Sequence, residues 1–194
     1  LGVAYCTGNF HKWMCAPKGS AFLYVRSDRQ HAIRPLVISH GANSRRTDRS
    51  RFRLEFDYVA TRDYSPWLAT PVAVDALESI IPGGWPEIVR RNRALALQAR
   101  SILADALGTP RTCPDSMIGA MATAILPDRA AREGDQTRYA DPLQDRLVNR
   151  WRIQVPIIPF PAPPRRHVRV SAQVYNQIGQ YEYLAAALKE ETRA

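Results

Sequence analysis

The order of apolar segments in the second half of the chain constrains its fold more than any other feature. Three segments have the length and composition of strands: residues 117–126, 154–160 and 167–172. Three others carry apolar residues at helical spacing: residues 85–107, 141–151 and 179–190. Gly108 directly follows the first of these helices, a position where glycine commonly ends a helix. Strands that alternate with helices predict an α/β or α+β domain after about residue 85.

The first half of the chain is less regular. Residues 1–5 and 21–25 are short strand-like runs, and the turn formers Gly8, Pro17 and Gly19 lie between them. Residues 34–53 are polar and basic without a sustained period, which predicts a loop, whereas residues 66–81 are spaced as a helix. We therefore predict two domains, residues 1–84 and residues 85–194. Because the chain begins within an apolar run, we expect it to be a fragment of a longer protein.

Composition argues against several kinds of partner. The net charge is +9, but no run mixes arginines with aromatic residues in the way that single-strand binders need, so a nucleic-acid partner is not expected. The three cysteines, Cys6, Cys15 and Cys113, lack metal-ligand spacing, so we predict no metal site and a reducing compartment. No apolar run reaches the length of a membrane-spanning helix. We therefore predict a soluble, cytoplasmic protein with no membrane partner.

A lysine near the start of the chain is the first candidate for chemistry. Lys12 follows His11 and precedes Trp13 in a loop bounded by glycine and proline. A lysine amine acts as a nucleophile or base only in its neutral form, which burial or a nearby cation favours. The residues around Lys12 are compatible with such shelter. By themselves they leave open the more common alternative, a solvated surface lysine.

Residues 8–13, Gly-Asn-Phe-His-Lys-Trp, and the Ala-Pro-Lys-Gly-Ser turn at residues 16–20 resemble a segment of a known family. They are similar to the cofactor-lysine segment of class V aminotransferase-fold (fold type I) pyridoxal-phosphate enzymes, in particular of the isopenicillin N epimerase-like branch. The resemblance implies that Lys12 forms a Schiff base with pyridoxal phosphate and that Asn9 and His11 contact the cofactor. It extends over the whole chain, which would correspond to the C-terminal half of such an enzyme.

A second segment agrees with this resemblance. Thr61, Arg62 and Asp63 are similar to the family's Gly-Thr-Arg-Asp motif, with Ala60 in place of the usual glycine. The likeness implies that Thr61 reaches the cofactor phosphate of the neighbouring subunit.

A third segment follows in the expected order. Residues 167–176, His-Val-Arg-Val-Ser-Ala-Gln-Val-Tyr-Asn, resemble the Arg-x-Ser segment of the epimerase branch. The likeness implies that Arg169 binds the substrate α-carboxylate, a group whose two oxygens match the planar guanidinium. The nearby Arg165 and Arg166 are interpreted as rim charges.

The resemblance also implies an architecture and a reaction. Residues 1–84 would be the end of the three-layer α/β/α large domain that binds the cofactor, and residues 85–194 would be a small α+β C-terminal domain, in a homodimer. The implied substrate is an amino acid or an amino-acid-derived compound. The reaction of the branch is epimerisation, in which Lys12 moves the Cα proton. Transamination and C–S lyase chemistry share the first steps and stay open.

Parts of the family's active site lie upstream of the lysine. They include the aspartate under the pyridine nitrogen and the phosphate-binding segment, whereas only 11 residues precede Lys12 here. We therefore expect the chain alone to have little activity and impaired folding, because its first two strands would lack sheet neighbours. A non-catalytic interaction module is the alternative. Cysteine desulfuration is disfavoured, because no cysteine lies between Arg146 and Arg169.

Overall fold

In the computed structural model the chain is described over residues 2–58, 60–129 and 141–193. It divides into two compact units, Leu1–Ile80 and Ile81–Ala194. The assignment of residues 1–84 to a cofactor-binding domain and of residues 85–194 to a small C-terminal domain stays a prediction. Among the described helices, none combines the length and the apolar character that crossing a membrane requires.

The first unit contains a two-stranded antiparallel sheet. β1 (Tyr5–Asn9) pairs with β2 (Ala21–Val25), so that Tyr5 lies opposite Val25. The Thr7 hydroxyl also donates to the Phe22 carbonyl at 2.8 Å. The predicted strand over residues 1–5 was therefore wrong in position, because pairing with β2 determines where β1 begins. The expectation that these strands lack sheet neighbours was wrong as well, since each is the other's neighbour.

Two helices and two short turns complete the first unit. The 3-10 turns are Ser27–Ala32 and His40–Asn43, and the helices are α1 (Arg51–Phe56) and α2 (Ser65–Ser79). α2 covers most of the helix predicted over residues 66–81. Residues 34–53, predicted as a loop, contain the second turn and the start of α1. Ser50 caps the start of α1, and its hydroxyl accepts a hydrogen bond from the Arg53 N–H at 3.3 Å.

The second unit combines helices with a three-stranded sheet. Its elements, in chain order, are α3 (Gly84–Leu107), β3 (Met121–Leu126), α4 (Pro142–Trp151), β4 (Ile157–Pro159), β5 (Arg166–Ser171) and α5 (Ile178–Glu191). The strand order is β3-β5-β4, and β5 runs antiparallel to both neighbours. α3 ends at Gly108, which has a φ of 63°. The prediction that Gly108 caps this helix is thereby confirmed.

The core of the second unit is formed by the sheet together with α3, α4 and α5. Its fully buried side chains include Leu103, Leu147, Val168 and Leu188. Burial alternates along β5, because successive side chains of a strand point to opposite faces. Arg166, Val168 and Val170 are buried, whereas the residues between them are only partly buried. The intervening face of β5, which carries His167 and Arg169, is therefore the more open of its two faces.

Arg166 is a structural residue of the second unit. Its Nη1 lies 3.1 and 3.0 Å from the two carboxylate oxygens of Asp141, and its Nε donates to the Pro127 carbonyl at 2.8 Å. The side chains of Arg166 and Asp141 are each only 10% exposed. The interpretation of Arg166 as a rim charge was therefore wrong, because its side chain is buried in an ion pair. The sequence did not indicate this, since the partners of Arg166 lie 25 and 39 residues away.

Candidate functional site

The candidate lysine lies on the loop that joins β1 to β2. The Phe10 N–H donates to the Ser20 carbonyl at 3.2 Å, and the Ala16 N–H donates to the Phe10 carbonyl at 3.1 Å. The Cys15 N–H donates to the Lys12 carbonyl at 3.0 Å and closes a tight turn. Cys15 has a φ of 54°, a left-handed conformation that is uncommon for residues with a Cβ. These hydrogen bonds hold the backbone around Lys12 in one shape.

α2 anchors the end of this loop. Ser20 is 1% exposed, and its hydroxyl lies 3.0 Å from the Thr70 hydroxyl of α2. Gly19 has a φ of 113°, and a Cβ at this position would lie 3.1 Å from Pro66 Cγ. Both the backbone angle and the close approach therefore favour glycine at position 19. The loop that carries Lys12 is thus packed on a helix of its own unit.

The side chains of the loop differ in their surroundings. Lys12 and Asn9 are exposed, whereas His11 is partly buried. The Nδ1 atom of His11 is buried and has no hydrogen-bond partner among the described residues. The shelter expected for the Lys12 amine is therefore not provided by the part of the chain that the structure describes. Because an unsatisfied buried polar atom costs free energy, His11 Nδ1 is suited to a hydrogen bond with a ligand.

The segment around Thr61 is ordered by aromatic side chains. The Tyr58 and Tyr64 rings stack at 5.9 Å, and the Arg62 guanidinium lies 4.1 Å from the centre of the Trp67 ring. The exposed Thr61 hydroxyl lies 3.4 Å from the Tyr58 hydroxyl.

Asp63 joins this segment to the start of α2. Its carboxylate accepts a hydrogen bond from the Ser65 N–H at 2.8 Å. Hydrogen bonds from Ser65 lower the pKa of Asp63, so that its carboxylate stays charged. The predicted phosphate contact, the Thr61 hydroxyl, is therefore presented on an ordered segment.

Arg169 lies in the central strand of the second unit. Its backbone N–H donates to the Pro156 carbonyl at 3.1 Å, and Thr123 of β3 is its partner in the sheet. Its Nε is buried and has no hydrogen-bond partner among the described residues. The side chain lines a cleft of about 370 Å³, within the range of roughly 300–1,000 Å³ that small-molecule sites occupy. Arg169 therefore offers an unsatisfied donor in a cleft of suitable size.

His167 shares the open face of β5 with Arg169 and was not selected from the sequence. Its Nδ1 is buried without a hydrogen-bond partner among the described residues. Ile125 of β3 and Ile158 of β4 lie opposite it, and the Phe160 ring meets it edge-on at 5.8 Å. This burial lowers the pKa of His167. The spacing of two residues from Arg169 on a strand is the signal that could have identified it.

We expect the stability of the chain to decrease as the pH falls below the ordinary histidine pKa of 6.5, in part because of His167. The lowered pKa of His167 means that the unfolded chain takes up this proton at a higher pH than the folded chain, which favours unfolding. Replacement of His167 by phenylalanine, which suits the apolar neighbours, should remove this contribution. Urea unfolding over a pH series measures it, and an NMR pKa for His167 at or above 6.5 would contradict it.

The chain is similar to known proteins in sequence and in fold, although no protein-family model matches it. It is 34% identical over 201 residues to an isopenicillin N epimerase of Amycolatopsis lactamdurans, covering 98% of the chain and 47% of that protein. It is 30% identical over 200 residues to a probable chloroplastic L-cysteine desulfhydrase of Arabidopsis thaliana, covering 97% of the chain and 40% of that protein. The chain thus spans about half the length of the curated relatives it matches.

A solved structure shares the fold. The apo structure of a cysteine desulfurase from Thermococcus onnurineus NA1 superposes with a TM-score of 0.68 at 18% sequence identity. The match covers 98% of the chain and 47% of that structure. At this identity the likeness shows the fold alone, and it confirms the predicted α/β fold class.

Proposed function

We propose that this chain, a homologue of isopenicillin N epimerases and L-cysteine desulfhydrases of the class V aminotransferase family, is the C-terminal part of a pyridoxal-phosphate-dependent enzyme. Its substrate would be an amino acid or an amino-acid-derived compound. The observation that carries the proposal is the lysine loop: an exposed amine on an anchored backbone, next to a buried histidine nitrogen that lacks a partner among the described residues.

The residues of the first unit fit pyridoxal phosphate in part. Lys12 supplies an accessible amine for an aldehyde, and His11 Nδ1 is an unsatisfied buried atom for a hydrogen bond. Asn9 and the Thr61 hydroxyl are exposed polar groups that would contact the cofactor, Thr61 on the phosphate of the neighbouring subunit in a homodimer. When bound, pyridoxal phosphate supplies an electron sink for the charge left on the substrate Cα.

The protein residues would divide the remaining work. The Arg169 guanidinium would hold the two oxygens of the substrate α-carboxylate and so fix the direction of the Cα–H bond. The Lys12 amine would take the proton from Cα as a general base and return it as a general acid. In an epimerisation the new proton arrives on the opposite face of Cα, which requires either a second acid on that face or a turn of the substrate relative to the Lys12 amine. We propose epimerisation first, because the relative with 34% identity bears that name.

Other reactions of the same residues remain candidates within the proposal. C–S lyase chemistry would break a bond at Cβ after the same proton removal, and relatives named L-cysteine desulfhydrases favour it as the alternative. Transamination is a further alternative. Cysteine desulfuration is less well supported, because the half-buried Cys113 accepts hydrogen bonds from Arg100 at its carbonyl and its Sγ, and no cysteine lies between Arg146 and Arg169.

An interaction module is the second candidate function. The β1–β2 sheet exposes Phe22, Leu23 and Tyr24 at 41%, 44% and 50%, and α2 exposes Leu68 at 75%. Exposed apolar side chains on one unit are typical of a surface that another protein covers. On this alternative the chain would be a non-catalytic remnant that binds a protein partner. Cytoplasmic location remains part of the proposal in either case.

We expect pyridoxal phosphate to label Lys12 selectively. The chain would be incubated with the cofactor, reduced with borohydride and digested for peptide mapping by mass spectrometry. The chain has three lysines, Lys12, Lys18 and Lys189, so each site is resolved. A cofactor site should favour Lys12 over Lys18 by about tenfold or more, which corresponds to about 1.4 kcal/mol of specific binding.

Lys18 is the matched control, because it is an exposed lysine of the same loop. Replacement of Lys18 by arginine should leave the labelling unchanged, and replacement of Lys12 by arginine should abolish the selective adduct. Replacement of His11 by phenylalanine should reduce the selectivity if His11 contacts the cofactor. Equal labelling of all three lysines would reject the cofactor site and favour the interaction module.

A further inference from the structure

Two arginines whose side chains have no partner among the described residues line the same cleft of the second unit. Arg152 and Arg169 both contribute to the cleft of about 370 Å³. Neither guanidinium makes a hydrogen bond or ion pair within the described part of the chain, and Arg169 Nε is buried in this state. Other arginines of this unit donate to carboxylates or carbonyls: Arg90, Arg91, Arg93, Arg100, Arg146, Arg150 and Arg166. The cleft therefore collects positive charge that the described residues do not neutralise.

The remaining walls of the cleft are neutral. Ile153, Val155 and Leu184 supply apolar surface, and Tyr181 and Tyr183 lie beside them. The tyrosine hydroxyls already donate, to the Ser171 carbonyl at 2.8 Å and to the Trp151 carbonyl at 3.3 Å. None of the described lining residues is an aspartate or a glutamate. Arg152 and Arg169 are thus the charged residues among those that line this cleft.

The backbone of Arg152 presents its side chain from an unusual conformation. Arg152 ends α4 with a φ of 56° and a ψ of 31°, the left-handed region in which glycine normally ends a helix. Its N–H donates to the Val148 carbonyl at 3.2 Å, and the Ile153 N–H donates to the Leu147 carbonyl at 3.0 Å. A cation is favourable at a helix C-terminus, but that effect needs no residue in this conformation. Non-glycine residues held in this region occur preferentially at ligand sites.

We propose that this cleft binds a small dicarboxylic acid, with one carboxylate on Arg169 and the second on Arg152. A planar guanidinium donates two parallel hydrogen bonds to the oxygens of one carboxylate. Two arginines on separate elements therefore suit two separate carboxylates. The apolar residues of the cleft would pack against the methylene groups between them. The inference rests on the proposed function only in equating the Arg169-bound carboxylate with that of the substrate. It then specifies that the substrate carries a second carboxylate in its side chain.

The test compares glutarate with butyrate, which has one carboxylate on a chain of similar length. Each would be titrated into the complete 194-residue chain without cofactor, and the dissociation constant would be measured by NMR. Glutarate should bind about tenfold or more tightly than butyrate, the effect of one further charge-assisted hydrogen-bonded pair. Replacement of Arg152 by glutamine should reduce the glutarate affinity to that of butyrate. Replacement of Arg169 by glutamine should weaken both acids.

Two variants keep the test decisive. Arg45 is exposed, makes no described side-chain contact and lies outside the cleft, so Arg45→Gln controls for loss of one charge. Arg152→Lys keeps the charge and should retain part of the glutarate preference, which separates charge from a folding defect. Equal affinities for the two acids, or equal losses in Arg152→Gln and Arg45→Gln, would overturn the inference. Because no cofactor is needed, this result is independent of whether Lys12 is labelled.

Discussion

Replacement of Arg166 by alanine is expected to lower the free energy of unfolding of the chain by about 3 kcal/mol, near the lower end of the roughly 3–5 kcal/mol that a broken buried ion pair costs. The Asp141 carboxylate, which is 10% exposed beside Arg166, would lose both hydrogen bonds from Arg166 Nη1. Arg129 Nε lies 3.7 Å from the same carboxylate and would neutralise part of the charge, which places the loss toward the lower value.

Asp141 adds a second consequence to the loss of Arg166. Its carboxylate also accepts the Leu143 N–H at 2.9 Å and so caps α4. Reorientation of an uncompensated Asp141 would weaken that cap, which accounts for roughly 1 kcal/mol of the expected loss. The Pro127 carbonyl would lose its donor as well, since Arg166 Nε bonds to it. The substitution therefore affects one end of the sheet and the start of α4 together.

Urea unfolding followed by circular dichroism measures this prediction, and Arg165 is the matched control. Arg165 is the exposed neighbour of Arg166, so Arg165→Ala should change the free energy of unfolding by no more than about 0.5 kcal/mol. Equal stability of the two alanine variants would show that the Arg166–Asp141 ion pair does not stabilise the fold.

The elements that were predicted correctly depend on short-range signals. α3 and its end at Gly108 follow from helical spacing and a glycine stop, and β2 coincides with the predicted run at residues 21–25. β5 follows in the same way from the alternation of its residues, although it begins one residue before the predicted strand. In each case the information lies within the segment itself. Such elements can be located without knowledge of the rest of the fold.

The features that sequence reasoning missed depend on distant residues. β1 begins at Tyr5 because β2 pairs with Tyr5–Asn9, and this register is not encoded in the apolar run before it. The buried state of Arg166 depends on Asp141, and a charged residue gives no local indication that it is buried.

The residues of the candidate site also fall into two groups, those that a local motif identifies and those that only the fold identifies. Lys12, Thr61 and Arg169 could be selected because they lie within short motifs that resemble a family. Arg152 and His167 could not, because their interest depends on a shared cleft and on the open face of one strand. The exposure of Lys12 was also not foreseen, since shelter is a property of packing and not of the neighbouring residues in the sequence. Motif resemblance therefore selects chemistry, whereas ligand specificity requires the structure.

Replacement of Gly41 by alanine is expected to disrupt the packing of the His40–Asn43 turn on α1. A Cβ at position 41 would overlap the Leu54 carbonyl group and would lie 2.8 Å from the Glu55 nitrogen. These are backbone atoms of α1, so no side chain can rotate to make room. We expect a loss of about 2–3 kcal/mol in the stability of this contact, at the upper end of the cost of overpacking.

Three hydrogen bonds would be strained by the same change, two that join the turn to α1 and one within the turn. The buried Ser39 hydroxyl donates to the Glu55 carbonyl and accepts the Gly41 N–H, each at 3.2 Å, and the Arg51 guanidinium donates to the Gly41 carbonyl. The arginine side chains of residues 45–53 are already exposed, so separation of the turn from α1 would act by freeing the backbone of this segment to enter the trypsin active site. Since about 1.4 kcal/mol corresponds to a factor of ten in an equilibrium, cleavage there should accelerate more than tenfold.

Gly119→Ala is the control for the effect of a methyl group on a glycine, because a Cβ at position 119 would meet no atom within 4 Å. It should leave both the stability, within about 0.5 kcal/mol, and the rate of cleavage at residues 45–53 unchanged. If Gly41→Ala were as resistant to trypsin as Gly119→Ala, the turn and α1 could not be in the close contact described here. The requirement for glycine at position 41 would then have to be abandoned.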